Sequence, residues 1–583
     1  MRYWTGCADN MPGVVDTILE NSYITFYLQK YGTGKDSFMR KRSSAFRAGV
    51  SICFLNRRFT RTARCVIFVF CFLAGTMNVF SATKPPATPA FGFDDVVAKA
   101  KELAALPFQD SKATAPDFLF KATYDQWRDI RFETDKSLWR SENLPFEVQF
   151  FHLGFFYDRP VKINVIDTKG VEPIPFSTDL FNYGANDFKA KLPDNIGFAG
   201  FRLHYPINRK DYRDEVAVFL GASYFRAVGK NMGYGISARG LAIDTALDSG
   251  EEFPYFKEYW LVKPSRKAKE MVVYALLDSA SLTGAYKFGV RPGEATLINV
   301  EATIFRRRDV GKLGIAPLTS MFLYAQNTNQ RPIDDFRPEI HDSDGLLIAD
   351  GTGEIIWRPL VNPKRLLVNT FQLTNPRGFG LLQRDLDFDH YQDLEARYDK
   401  RPSVWIAPAG EWGKGHVELI QIPSSNEIDD NIVAFWVPAL LPDLKEPISF
   451  AYDMSWYFPT NDPNAGGYVS ATRTGTVRDK NLRLFVIDFK GGKLDKLPDT
   501  LPVEAPLEGI VTVSEGATIV EKHLVKNGPN GGWRLVFQLK SDNEGPLDKV
   551  LPKPKNQPSL EMRAYLKEGQ DILTETWSYG LLP

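Results

Sequence analysis

Phe219-Leu-Gly-Ala-Ser-Tyr-Phe-Arg226 and, shortly after it, Tyr234-Gly-Ile-Ser-Ala-Arg-Gly-Leu-Ala-Ile-Asp244 decide how this chain is read. Their apolar residues come in short runs broken by glycine, which is the punctuation of strands rather than of helices. The same runs carry aromatic rings, arginines, hydroxyls and a carboxylate, an unusual surface for a simple core. Outward from this stretch the pattern persists. Phe146-Glu-Val-Gln-Phe150 and Val161-Lys-Ile-Asn-Val165 alternate, and alternating runs separated by Gly, Pro, Asn and Asp recur to the end of the chain. One helix is expected early, capped by Asp94, with Val97, Ala100, Leu103 and Ala104 at helical spacing and Pro107 beyond its end. The fold class is therefore mainly β.

At 583 residues the chain exceeds one ordinary core. Pro459-Thr-Asn-Asp-Pro-Asn-Ala-Gly-Gly467 is a dense cluster of turn formers and a natural boundary. The reading divides the chain into residues 1–81, a linker 82–91, a large β-sandwich 92–458 and a smaller one 468–583. Strands of the last part include Leu482–Phe489, Gly509–Val513, Trp533–Leu539, Met562–Leu566 and Thr574–Tyr579.

The first 81 residues differ from the rest. They hold 11 Lys+Arg against 4 Asp+Glu and all four cysteines, Cys7, Cys53, Cys65 and Cys71. Arg57, Arg58, Arg61 and Arg64 precede the apolar run Cys65–Ala74, and Ser81, Ala82 and a Pro-rich segment follow. A basic region, a short apolar core and a small-residue exit form the layout of a secretory signal, with cleavage after Ser81 or Ala82. The flanks of Arg57-Arg58 fit the general secretory route better than a twin-arginine one, and Met39 is an alternative start. The remainder carries 60 Lys+Arg against 67 Asp+Glu. An acidic body does not recruit nucleic acid, and a cysteine-free one builds no thiolate metal site.

Several chemistries fail on spacing. Gly34-Lys35 lacks the glycine a phosphate loop requires, because position 29 is Gln29. Gly235-Ile-Ser-Ala-Arg239 fails as a serine-hydrolase elbow at Arg239. No two of the six histidines have zinc-ligand spacing, so neither a metal nor a cofactor is expected. What remains is carboxylate chemistry in an aromatic setting. Aromatics are 13% of residues, and such rings stack on pyranose faces as readily as they fill a core. Glycoside hydrolysis needs one carboxyl that stays protonated and one that stays ionised. Two clusters qualify. In Arg337-Pro-Glu-Ile-His-Asp-Ser-Asp-Gly345, a turn presents Asp342; the competing reading is an Asp that bonds its own turn. In Ser425-Asn-Glu-Ile-Asp-Asp-Asn-Ile-Val-Ala-Phe-Trp436, Asp429 and Asp430 lead into an apolar strand, whose mouth can desolvate a carboxyl and raise its pKa; the competing reading is a solvated acidic loop.

These strings, with Glu251–Pro254, Tyr274–Ser279, Thr283–Phe288, Ala316–Phe322 and Gly378–Gln383, resemble the periplasmic glucan biosynthesis proteins of Gram-negative bacteria, the G and D group. The resemblance runs through nearly everything after residue 91 and leaves the G or D type open. It implies a large N-terminal β-sandwich with a cleft, an immunoglobulin-like C-terminal sandwich, a periplasmic location and a β-1,2-glucan substrate. It further implies an inverting endo-glucanase. The general acid would be Asp430 of Asp430-Asn-Ile-Val433. The general base would be Asp342 of the His-Asp-Ser motif, acting through water and a substrate hydroxyl. Tyr398 of Tyr398-Asp-Lys-Arg-Pro-Ser403 would lie near the substrate. Tyr224, Arg226, Tyr234, Arg239, Trp357, Arg358, Trp405 and Trp412 fall in shared strings as cleft candidates. Asp244 is read as a strand-end partner for Arg239 rather than as catalytic. The competing functions are a non-catalytic glucan-binding scaffold, with the inner-membrane glucan synthase as a partner, and a branching transferase. A homodimer is compatible with all three.

Overall fold

The computed structural model describes residues 91–112, 115–329, 331–459, 466–477, 482–498, 506–542 and 559–581. The secretory-signal reading and the four cysteines lie outside these residues, as does most of the turn cluster 459–467.

The protein is mainly β, and its two largest sheets enclose the main core. One has ten strands in the order Glu147–His152, Phe198–Tyr205, Asp214–Leu220, Tyr224–Ala227, Ser237–Arg239, Leu313–Ser320, Ile432–Pro438, Lys414–Gln421 and Leu367–Thr374, with Leu241–Ile243 also paired to Leu313–Ser320. The other is larger, and Thr296–Arg306, Leu282–Arg291 and Met271–Asp278 run side by side through it. Thr296–Arg306 buries alternate residues, as one face of a pleated strand should. Rings from the two sheets meet directly. Phe219 lies 5.2 Å from Phe288 and 5.9 Å from Tyr259 in edge contacts, and Phe225 lies 5.1 Å from Phe288. Most of the aromatic excess is used in this way.

The opening stretch lies in the ten-stranded sheet. Phe219, Phe225 and Ala238 join the core, while Tyr224 and Arg226 are half-buried. In Glu147–His152 the alternation is deceptive, because Glu147 and Gln149 are buried too. Their face is roofed: Arg140 and Arg213 pair with Glu147, and the Gln149 amide donates to Ser137. The early helix spans Phe93–Ala104. Its N-cap is Gly92, whose amide donates to Asp95, so Asp95 and not Asp94 closes its first turn. Val96 and Ala100 pack it on Trp260 and Leu276.

A second core joins the four-stranded sheet Tyr468–Val477, Leu482–Lys490, Trp533–Ser541 and Ala517–Lys526 to the strands Leu507–Val513, Leu560–Glu568 and Thr576–Leu581. The last of these pairs in parallel with Ile355–Pro359, so the hydrogen-bond ladder runs unbroken from the C-terminal strands into the larger sheet.

Candidate active site

The segment Ser320–Tyr324 positions both candidate carboxyls. On one side Ser320 pairs with Ile432. Just before that strand, the Asn431 side chain accepts from the Phe322 amide (2.8 Å) and donates to the Phe322 and Ile422 carbonyls (both 3.0 Å). This buried clamp fixes where Asp430 leaves the sheet. On the other side His341 pairs with Phe322, the Asp342 amide donates to the Met321 carbonyl (2.8 Å), and the Ser343 and Ser320 hydroxyls share a hydrogen bond (2.7 Å).

The two carboxyls stand in different surroundings. Asp342 is buried and ion-paired with the Arg401 guanidinium. Asp430 is half-buried, and no hydrogen bond or ion pair to a described residue engages its carboxyl. Burial pushes that carboxyl above the usual carboxylate range, and Asp429 adds to the push; Arg226, Arg239 and Arg401 pull the other way without cancelling it. Asp429 itself accepts from the Ser424 hydroxyl (2.7 Å). Arg401 is thus bonded to one carboxyl and sensed by the other.

Arg401 is held from three sides. Its guanidinium lies 4.1 Å from the centre of the Tyr398 ring and donates to the Ala396 carbonyl. Gly235 packs against its stem so closely that a Cβ there would sit 2.9 Å from Arg401 Cβ. Arg397, in the left-handed region at φ 46°, starts the short turn Tyr398–Lys400 that leads to it. The Tyr398 hydroxyl donates to Glu427 (2.9 Å), which Arg337 also binds (2.7 Å). Burial first, then the Glu427 charge, hold the Tyr398 phenol far above its ordinary range, so it stays protonated.

Four of the other candidates gather on neighbouring strands and the loop beside them. Tyr224 pairs with Arg239 across the strands. Arg226 lies over the Tyr234 ring (4.6 Å) and Arg239 over the Tyr224 ring (5.5 Å). The partner of Arg239 is Glu251 (2.7 Å), not Asp244, which instead accepts from the Lys312 amide. The remaining four are placed elsewhere. Trp357 belongs to the second core, under the Arg384 guanidinium at 3.6 Å. Arg358 pairs with Glu561 and donates to Ser578. Trp405 packs on the second core, and Trp412 packs on Trp436 and Tyr452 with its indole N–H on the Ala451 carbonyl. Trp357 and Arg358 are buried, and Trp405 and Trp412 are half-buried.

Arg401, Glu427 and Arg337 were not singled out in the sequence. Arg401 sits inside the Tyr398–Ser403 motif, and the other two flank the acidic clusters, but no spacing rule joins these three segments. A cavity of about 710 Å³, lined by Pro332, Phe336, Arg337, Asp393 and Leu394 among others, touches this network through Arg337 without including either carboxyl. Among the described residues, Glu339, Asp385 and His390 bring donor atoms within 4.8 Å of one another. Two ion pairs already use them, Glu339 with His341 and Asp385 with His390, and we assign no ion there. The arrangement offers two carboxyls in unlike surroundings, Asp342 ion-paired with Arg401 and Asp430 raised by burial, in an arginine- and tyrosine-lined setting, which suits acid–base work on a hydroxylated substrate.

The family model described as "Periplasmic glucan biosynthesis protein, MdoG" matches residues 91–581. The chain is 48% identical to a "Glucans biosynthesis protein G" of Ralstonia nicotianae over 517 residues, covering 87% of this chain and 99% of that protein. It is 45% identical to the protein of the same description from Sodalis glossinidius over 505 residues, covering 85% and 93%. No helix among the described residues is long and apolar enough to cross a membrane.

Proposed function

The chain belongs to the periplasmic glucan biosynthesis protein family, and on that premise we propose that it acts in the periplasm as an inverting endo-β-1,2-glucanase on the glucan backbone. The observation that carries this is the contrast between Asp430, unbonded and raised by burial, and Asp342, held by Arg401. In this reading a protonated Asp430 donates to the glycosidic oxygen as the bond to the anomeric carbon breaks. Water attacks the opposite face of the sugar, and its proton passes through a substrate hydroxyl to Asp342. The burial of Asp342 supports the indirect route, because the carboxylate is already engaged and reaches bulk water poorly. Half-buried Arg226 donates to sugar hydroxyls and half-buried Tyr224 offers a ring face, while buried Tyr234 and Arg239 hold them by cation–π contacts.

The test is incubation with linear β-1,2-glucan, following reducing ends and product sizes, with Asp430→Asn as the control. Short oligosaccharides from the parent are expected, with a loss of about 10²–10⁴-fold in the variant. Intact glucan in both, with binding retained, would leave the scaffold or branching reading.

A further inference from the structure

His341 lies next to Asp342, is fully buried, and has both ring nitrogens engaged. Its Nδ1 faces Gln383 Oε1 at 2.9 Å and its Nε2 faces Glu339 Oε2 at 3.0 Å. The orientation of the Gln383 amide follows from its other contacts. Its nitrogen approaches the carbonyls of His341 and Tyr398, which only accept (both 3.2 Å). It also approaches the Tyr391 hydroxyl (2.9 Å), whose own proton goes to the Asp385 carbonyl. The amide oxygen must therefore face the ring, and an oxygen acceptor requires a proton on Nδ1. An ionised Glu339 requires a second one on Nε2.

We propose that His341 is a positioning residue for Asp342: an imidazolium that donates from both ring nitrogens, tying the Ile340–Asp342 segment to Glu339 and Gln383 so that Asp342 stays at Arg401. Phe322 stacks on the ring at 5.5 Å and Tyr391 meets its edge at 5.2 Å. Burial alone would strip the proton. The Glu339 bond and charge, with Asp344 and Asp385 behind it, outweigh burial and lift the ring above its usual range. Because the folded-state pKa is raised, this contribution to stability is complete below about pH 6.5 and is lost as the pH rises through the folded value. A fixed cation also offsets the carboxyls crowded here, Glu339, Asp344 and Asp385, without consuming Arg401.

The role in catalysis rests on the reading of Asp342 as the base, whereas the protonation state does not, and the experiment separates them. The protein is labelled with ¹⁵N at its histidines, and the His341 signal is assigned by its loss in His341→Gln. At about pH 6.5, where an ordinary imidazole is half protonated, the wild-type ring is expected to carry a proton on each nitrogen; a ring with one proton overturns the proposal whether or not glucan is cleaved. A doubly protonated ring with uncut glucan would instead count against the glucanase reading alone. In Glu339→Gln the ring is expected to lose its second proton at lower pH. At a pH between the two titrations, kcat should then fall in proportion to the fraction of ring that has lost its second proton, with KM little changed, and Glu339→Asp should restore part of it. A ring that titrates in Glu339→Gln with no change in kcat or pH profile would also overturn the positioning role. If that variant does not fold, the wild-type spectrum decides by itself.

Discussion

Asp430 and Asp342 hang from the same short segment of sheet, yet one is left loose and the other is tied. Asp342 has a guanidinium on its carboxyl, a backbone bond to Met321 on its amide and a hydrogen-bonded histidine beside it. Asp430 has a clamp one residue away, at Asn431, and nothing on its carboxyl among the described residues. Anchoring the backbone while sparing the side chain leaves an acid that keeps its proton more firmly than an ordinary carboxyl and still has it to give. Anchoring both produces a group whose charge is part of the structure.

The sharpest way to break this contrast is Arg401→Met. It strands Asp342 in the interior, and a loss of about 3–5 kcal/mol in urea unfolding is expected; an unchanged midpoint would show that the pair does not hold in solution. Asp430→Asn, by contrast, should leave stability nearly unchanged. Trp357→Leu tests the aromatic residues outside the site: a loss of about 2–4 kcal/mol is expected from the second core, with cleavage per folded molecule unaltered. A specific fall in glucan affinity would return Trp357 to the cleft. Tyr398→Phe removes a hydrogen bond to a carboxylate and should cost about 1.5–3 kcal/mol, read from the same unfolding curves; a smaller change would mean that Arg337 alone satisfies Glu427. The smallest effect is Asp429→Asn. Activity that needs protonated Asp430 falls as the pH rises through its pKa, so removing the neighbouring charge should move the alkaline limb of the rate profile to lower pH by less than about one unit.

The sequence disclosed the strands better than their surroundings. Leu482–Lys490 and Trp533–Ser541 lie within a residue or two of their reading, because alternation in a one-sided strand is a local signal. Glu147 and Gln149 show the limit: they look solvated, and the arginines and serine that roof them come from separate turns. The two aspartates were proposed from motif resemblance, and their local sequence admitted a plain turn for Asp342 and a solvated acidic loop for Asp430. Arg401, Glu427 and Gln383 act through partners in distant segments of the chain, which no period or spacing encodes. Four of the candidates taken from the shared strings, Trp357, Arg358, Trp405 and Trp412, have core contacts or an ion pair as partners, which their residue type alone does not reveal.

The parallel pairing of Thr576–Leu581 with Ile355–Pro359 bears on the order in which the molecule is made. A chain emerging N-terminus first displays Ile355–Pro359 with its outer edge open until a partner 220 residues later arrives at Ile356↔Thr576. An open edge is a template for the wrong neighbour, and long-separated pairings form slowly. The last strand therefore serves as the closing stitch of the larger sheet. A chain stopped short of it would be recognisable to proteases and to other chains by that bare edge.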